Sequence, residues 1–258
     1  MKVKTDNITK SQRQIIIYIY EFRFLCISHL QYLFNHKDPH RIKEWLHDLE
    51  KKKYLSIIKH PKDQTKPYIF CLAQKSRWVV REKKEVQVSS LKWLYQEKLK
   101  SSEFIQKCLF LADCYLYFLR NKDKSSKINF FTKQVLEGYD YFPDPMPDAY
   151  IDEESRNTNN RYFLDYFNAN DSAKYMRFKI GNYFRYFSDG NSWQENTGNA
   201  TIPSILLVFD NDRKKKHIYY YAKSLLQKSF TTLDIFLAST NQIKFSKNNE
   251  DVWEKVET

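Results

Sequence analysis

Residues 147–170 read "PDAYIDEESRNTNNRYFLDYFNAN", and this stretch decides the fold. Asp148-Ala149-Tyr150-Ile151-Asp152 after Pro147 reads as a strand. "SRNTNN" has turn chemistry, because short polar side chains bond to nearby backbone. From Arg161 the pattern alternates. Phe163, Asp165 and Phe167 fall on one face, and Leu164 and Tyr166 on the other. If the two strands are neighbours, Asp148 and Asp165 converge. Upstream, "INFF" (128–131) reads as a strand, and "TKQVLEGYDYF" (132–142) as a helix containing Glu137. Downstream, 172–190 reads as a helix with Met176, Ile180, Tyr183 and Phe187 in register. "IPSILLVFD" (202–210) has the unbroken apolar run of a central strand. A further amphipathic helix covers 212–230, and "TLDIFLAS" (232–239) is the last expected strand. Helices alternating with strands make residues 125–258 an α/β domain with a mixed sheet. The chain as a whole is expected to be α+β / α/β.

The first 86 residues are organised differently. Thr9 and Gln12 form a capping box ahead of "RQIIIYIYEFRF". Ser28 to Gln31 forms a second, opening "HLQYLF". Asp38-Pro39 supplies a third helix start. In "HRIKEWLHDLEKKK" Ile42, Trp45, Leu46 and Leu49 make one inward stripe. Two β-prone runs, "YLSIIKH" and "PYIFCLA", flank a polar tip. Three short helices and a hairpin are the order of a winged helix-turn-helix. Its candidate DNA contacts are Arg41, Lys43, His47 and Lys51 on the third helix, with Lys59, Lys62 and Lys66 on the wing. Residues 87–124 read as a helical connector or dimerisation segment with a break near Ser101.

Charge supports a polyanionic partner. The net charge is +12, unevenly spread. Residues 1–66 carry 14 Lys and Arg against 7 Asp and Glu, residues 136–175 carry 3 against 9, and residues 176–228 carry 9 against 4. Cys26, Cys71, Cys108 and Cys114 form no CxxC pair and read as buried reduced thiols. The four glycines never cluster into a phosphate-binding loop. No apolar run is long enough to span a bilayer, and the N-terminus is polar, so a soluble, cytoplasmic protein is expected.

A metal-dependent hydrolytic site needs two or three carboxylates at strand ends and gains from a lysine. Glu137, Asp148, Asp165 and Lys179 are the candidates. Pro147-Asp148 followed by Asp165 resembles the PD…(D/E)xK signature of restriction-endonuclease-like nucleases, with Glu137 in place of the helix acid. The resemblance implies a magnesium or manganese ion held by Asp148 and Asp165. Phe167 stands where that family has its lysine, and Lys179 on the next helix is the substitute.

The whole pattern from about Ser11 to Phe236 resembles the replication-relaxation family. It comprises the winged helix, the helical middle, "PDA", a strand ending in an acid, and Lys179-Ile180-x-x-Tyr183-x-x-Tyr186. That family's strand carries a second acid where this chain has Phe167. The resemblance implies a DNA-binding accessory or regulatory protein of a plasmid or other mobile element. It would act on double-stranded DNA in replication, mobilisation or transcription control, as a possible homodimer with a catalytically silent nuclease-like domain. Two alternatives stand beside it. One is a DNA nickase using Asp148, Asp165 and Lys179. The other is an interaction module for replication or conjugation proteins.

Overall fold

The structure is a computed structural model. It describes residues 8–59, 65–82, 88–156, 158–188, 192–198, 200–229, 233–246 and 252–257. Two compact units divide the chain, Met1–Leu116 and Tyr117–Thr258. No helix among the described residues is long and apolar enough to cross a membrane.

In the first unit, α1 (Lys10–Phe22) starts from the Thr9–Gln12 capping box. It buries Ile15, Ile16 and Ile19 completely. Arg23 at φ 67° then turns the chain into the two-residue strand β1 (Leu25–Cys26). Helix α2 (Ile27–Leu33) is capped by Cys26 and His29 rather than by Ser28 and Gln31. The reason is local. The Cys26 N–H lies 3.3 Å from the His29 ring nitrogen, and Ser28 is exposed within the first turn.

Helix α3 (His40–Lys51) begins one residue later than the sequence implies, after Pro39. The Asp38 carboxylate still accepts the His40 N–H at 2.8 Å. Asn35 and Lys53, at φ 51° and 62°, close α2 and α3. His36 N–H donates to Gln31 O and Tyr54 N–H to Leu49 O, so each end is a Schellman motif without glycine. These turns aim the chain into β2 (Leu55–Ile58), which pairs antiparallel with β3 (Ile69–Leu72). Strand β1 pairs with the other edge of β3, giving the order β1-β3-β2. A 3-10 turn (Gln74–Ser76) and α4 (Arg77–Val80) follow.

A 3-10 helix (Val88–Leu99) leads to α5 (Ser102–Asn121). Ser101 marks the break, its hydroxyl accepting the Phe104 N–H. Ile105 and Cys108 of α5 pack on Phe24, Ile69 and Cys71. Here α5 completes the first unit's core. All four cysteines are buried thiols outside any disulfide.

The second unit is built on a six-stranded mixed sheet. Its strands are β4 (Lys127–Thr132), β5 (Ala149–Glu154), β6 (Asn159–Phe167), β7 (Ser204–Phe209), β8 (Ile235–Ser239) and β9 (Glu254–Lys255), side by side in chain order. Strands β4 to β6 form an antiparallel meander. Strands β6, β7 and β8 run parallel, and β9 returns antiparallel. Thus β8 is not the last strand, and the two-residue β9 is too short to leave a period-2 signal. Single-turn α6 (Lys133–Leu136) follows β4. Helix α7 (Ala173–Ser188) and the short α8 (Ser192–Thr197) connect β6 to β7. Helix α9 (Asp212–Leu226) connects β7 to β8, and α10 (Thr240–Phe245) follows β8.

Register fixes the faces. Phe163, Asp165 and Phe167 align with Ile205, Leu207 and Phe209, and those with Ile235, Leu237 and Ser239. Side chains at aligned positions share a face. That face carries the main core, filled by Met176, Ile180 and Tyr183 of α7, Trp193 of α8, and Ile218 and Ala222 of α9. Asp165 stands between Phe163 and Phe167 on this face, and it is wholly buried.

Candidate functional site

The first candidate site lies where β5 and β6 meet under α7. Antiparallel pairing sets Ala149 opposite Leu164, which brings Asp148 opposite Asp165. The two acids are laced together through the backbone. Asp148 N–H donates to Asp165 Oδ1 at 3.1 Å, and Tyr166 N–H donates to Asp148 Oδ2 at 3.0 Å. Lys179 descends from α7 onto both. Its Nζ lies 2.5 Å from Asp165 Oδ1 and 3.6 Å from Asp148 Oδ1. Tyr183, one turn on, donates its hydroxyl to Asp165 Oδ2 at 2.8 Å. Relative exposures are 6% for Asp148, 0% for Asp165, 2% for Lys179 and 1% for Tyr183.

Burial dominates the electrostatics. It pushes the Asp165 carboxyl up, and the charge of Lys179 only partly offsets this while Asp148 adds repulsion. Burial works against the Lys179 ammonium too, but the two carboxylates outweigh it and hold it above its ordinary value. Burial and the adjacent carboxylate push the Tyr183 phenol well above its usual range, so it stays a donor. The cluster therefore sets a cation against two acids, with a neutral phenol as the fourth member.

The tetrad explains the Lys179-Ile180-x-x-Tyr183-x-x-Tyr186 spacing. Lys179 and Tyr183 are four apart, on one helical face, and both reach Asp165. Ile180 enters the core. Tyr186 donates to the Tyr141 carbonyl, and Asn182 to the Asp144 carbonyl at 3.1 Å. These two bonds tie the loop before Asp148 to α7, and the Asp144–Pro145 peptide in that loop is cis. Sequence reasoning placed Tyr183 in the apolar stripe and passed over Asn182. The i+4 distance from Lys179 was the available signal for Tyr183.

Glu137 does not join the cluster. Leu136 is buried at the end of the one-turn α6, and the next residue rotates outward, so Glu137 is exposed at the C-cap. Phe167 packs against Phe209 at 5.3 Å between ring centroids. Among the described residues, no three His, Cys, Asp or Glu side chains are grouped to hold a metal ion. The residues present do not fit magnesium or manganese. Such an ion takes oxygen ligands, while here Lys179 bridges the two acids and backbone N–H groups and Tyr183 bond three of their oxygens.

The second candidate site is the outer face of α3. Ile42, Leu46 and Leu49 are buried, and Trp45 is half-buried against Phe34 and His36. Their burial turns His40, Lys43, Glu44, His47 and Lys51 outward, spaced i, i+3, i+4, i+7 and i+11. Arg41 flanks this face. It lies 3.2 Å from Glu44 and stacks over Trp45 at 5.4 Å. Lys59 and Lys66 are exposed at the two ends of the β2–β3 connection, and Lys59 lies over Tyr68 at 5.6 Å. Lys62 lies outside the described residues.

No protein-family model matches the chain, and none of the curated proteins matches it. Two solved structures align with most of its length. One is the restriction endonuclease FokI, 12% identical, with a TM-score of 0.31, over 95% of this chain and 45% of that one. The other is FokI bound to DNA, 12% identical, with a TM-score of 0.32, over 93% and 45%. The chain thus spans less than half the length of those proteins.

Proposed function

We propose that the protein binds double-stranded DNA through a winged helix-turn-helix in its first unit. The second unit is a nuclease-like domain kept as a scaffold. The observation that carries DNA binding is the outward face of α3, where Lys43, His47 and Lys51 stand exposed beside Arg41. Helix α3 is then the recognition helix, and the β2–β3 connection is the wing. The basic balance of residues 1–66 supplies the attraction to phosphates. A role in replication, mobilisation or transcription control of a mobile element draws its support from the replication-relaxation resemblance. A homodimer and contacts with replication or conjugation proteins belong to the same reading.

The scaffold role draws its support from Lys179. An ammonium already occupies the space between the two acids that a nuclease would use for metal. The meander β4–β6 followed by parallel β7 agrees with the fold that the PD-Asp pattern implies.

Fluorescence anisotropy with labelled duplex DNA over a salt series tests the DNA reading. Binding is expected to weaken linearly in log–log form. Lys43→Ala is expected to reduce the slope by about 1, as the loss of one phosphate contact does. Absence of duplex binding at low salt would sink the proposal.

A further inference from the structure

Three side chains line up inside the first unit, apart from the α3 face. Cys26 Sγ lies 3.3 Å from His29 Nδ1, and His29 Nε2 lies 3.0 Å from Asp113 Oδ1. Ser28 Oγ is 3.1 Å from the same sulfur. Cys26 precedes α2, His29 sits in its first turn, and Asp113 comes from α5, 84 residues from His29. With Asp113 accepting the Nε2 proton, Nδ1 faces the sulfur. Nucleophile, base and orienting acid then stand in the order that activates a thiol.

The surroundings agree. Burial opposes a charged sulfur, but the hydrogen bond and charge of His29 outweigh it and bring Cys26 down to about 7. Burial likewise opposes a charged His29, yet its bonds to Asp113 and Cys26 raise it to about 9. Nδ1 accepts the Cys26 N–H at the cap, so it is the unprotonated ring nitrogen, placed to take the thiol proton when the thiolate forms. Of the neighbouring charges, Arg23 is engaged by Glu97, with Nε to Oε2 at 3.0 Å. Cys71 on β3 shows the contrast, since burial pushes its thiol up to about 12.

We propose that Cys26 is a reactive thiolate, activated by His29 with Asp113 as the positioning residue, that reduces small hydroperoxides. Cys26 is only 7% exposed, which restricts the substrate to a molecule the size of hydrogen peroxide. The sulfur attacks one peroxide oxygen. An S–O bond forms as the O–O bond breaks, and sulfur loses two electrons to the peroxide. The departing hydroxide takes the proton from His29 Nδ1 and leaves as water. The product is the sulfenic acid of Cys26.

The full chain is treated with hydrogen peroxide at a series of pH values, quenched, unfolded, and labelled with dimedone. Mass spectrometry then locates each sulfenic acid. At neutral pH Cys26 should be oxidised about tenfold faster than Cys71, Cys108 or Cys114, reflecting its larger thiolate fraction. Its rate should be half-maximal near pH 7, the value at which Cys26 titrates. His29→Gln should slow it about tenfold and move the midpoint above the ordinary thiol value of about 8.5, because burial then acts with little to oppose it. Asp113→Asn should move the midpoint the same way. Wild-type Cys26 reacting no faster than the other three, or titrating like an ordinary thiol, overturns the proposal without recourse to any variant.

Discussion

Lys179 is the residue on which the second unit turns. A buried ion pair adds little net stability, but removing one partner strands the other. Lys179→Met leaves Asp148 and Asp165 facing each other in the core, and chemical denaturation should show a loss of about 3–5 kcal/mol near neutral pH. The pH dependence has a definite sign. Lys179 is held above its ordinary value, so its contribution is complete below about pH 10 and fades only above that. Without it the buried acids take up a proton more readily when folded than unfolded. The variant's deficit should therefore be smaller at pH 4 than at pH 7, and equal deficits would contradict the pairing. Tyr183→Phe removes one donor and leaves Asp165 Oδ2 buried without its phenol. A loss of about 1–3 kcal/mol is expected in the same denaturation experiment.

Two faces of α3 should separate stability from the proposed DNA binding. Leu46→Ala opens a cavity at a residue 1% exposed, and should cost about 2–5 kcal/mol in urea unfolding. Lys43→Ala should leave unfolding within about 0.5 kcal/mol of wild type while lowering the salt slope of DNA binding. This division was legible in the sequence, because apolar residues at i, i+4 and i+7 leave a polar face at fixed offsets. The main strands were legible for a similar reason. Strand β6 alternates, and β7 is apolar on both faces. Helix ends were harder to read. Asn35 and Lys53 take left-handed conformations where glycine is the usual signal, and His29 does the capping expected of Gln31. At the site, the convergence of Asp148, Asp165 and Lys179 followed from strand pairing and helix spacing. The exposure of Glu137 did not, because it depends on α6 being a single turn. That Lys179 would bridge the acids is a tertiary fact with no local signature.

At the scale of the whole molecule, a basic unit, proposed to read DNA, is joined in one chain to a domain whose acid pair carries its own cation. In the proposed function such a protein grips DNA and leaves it whole. One gel tests this most directly: supercoiled plasmid incubated with the protein in magnesium or manganese, run both before and after the protein is stripped away. Retarded plasmid is expected before stripping and intact supercoiled plasmid afterwards. Open-circle product that disappears with Asp148→Ala, or plasmid that is never retarded, would contradict it.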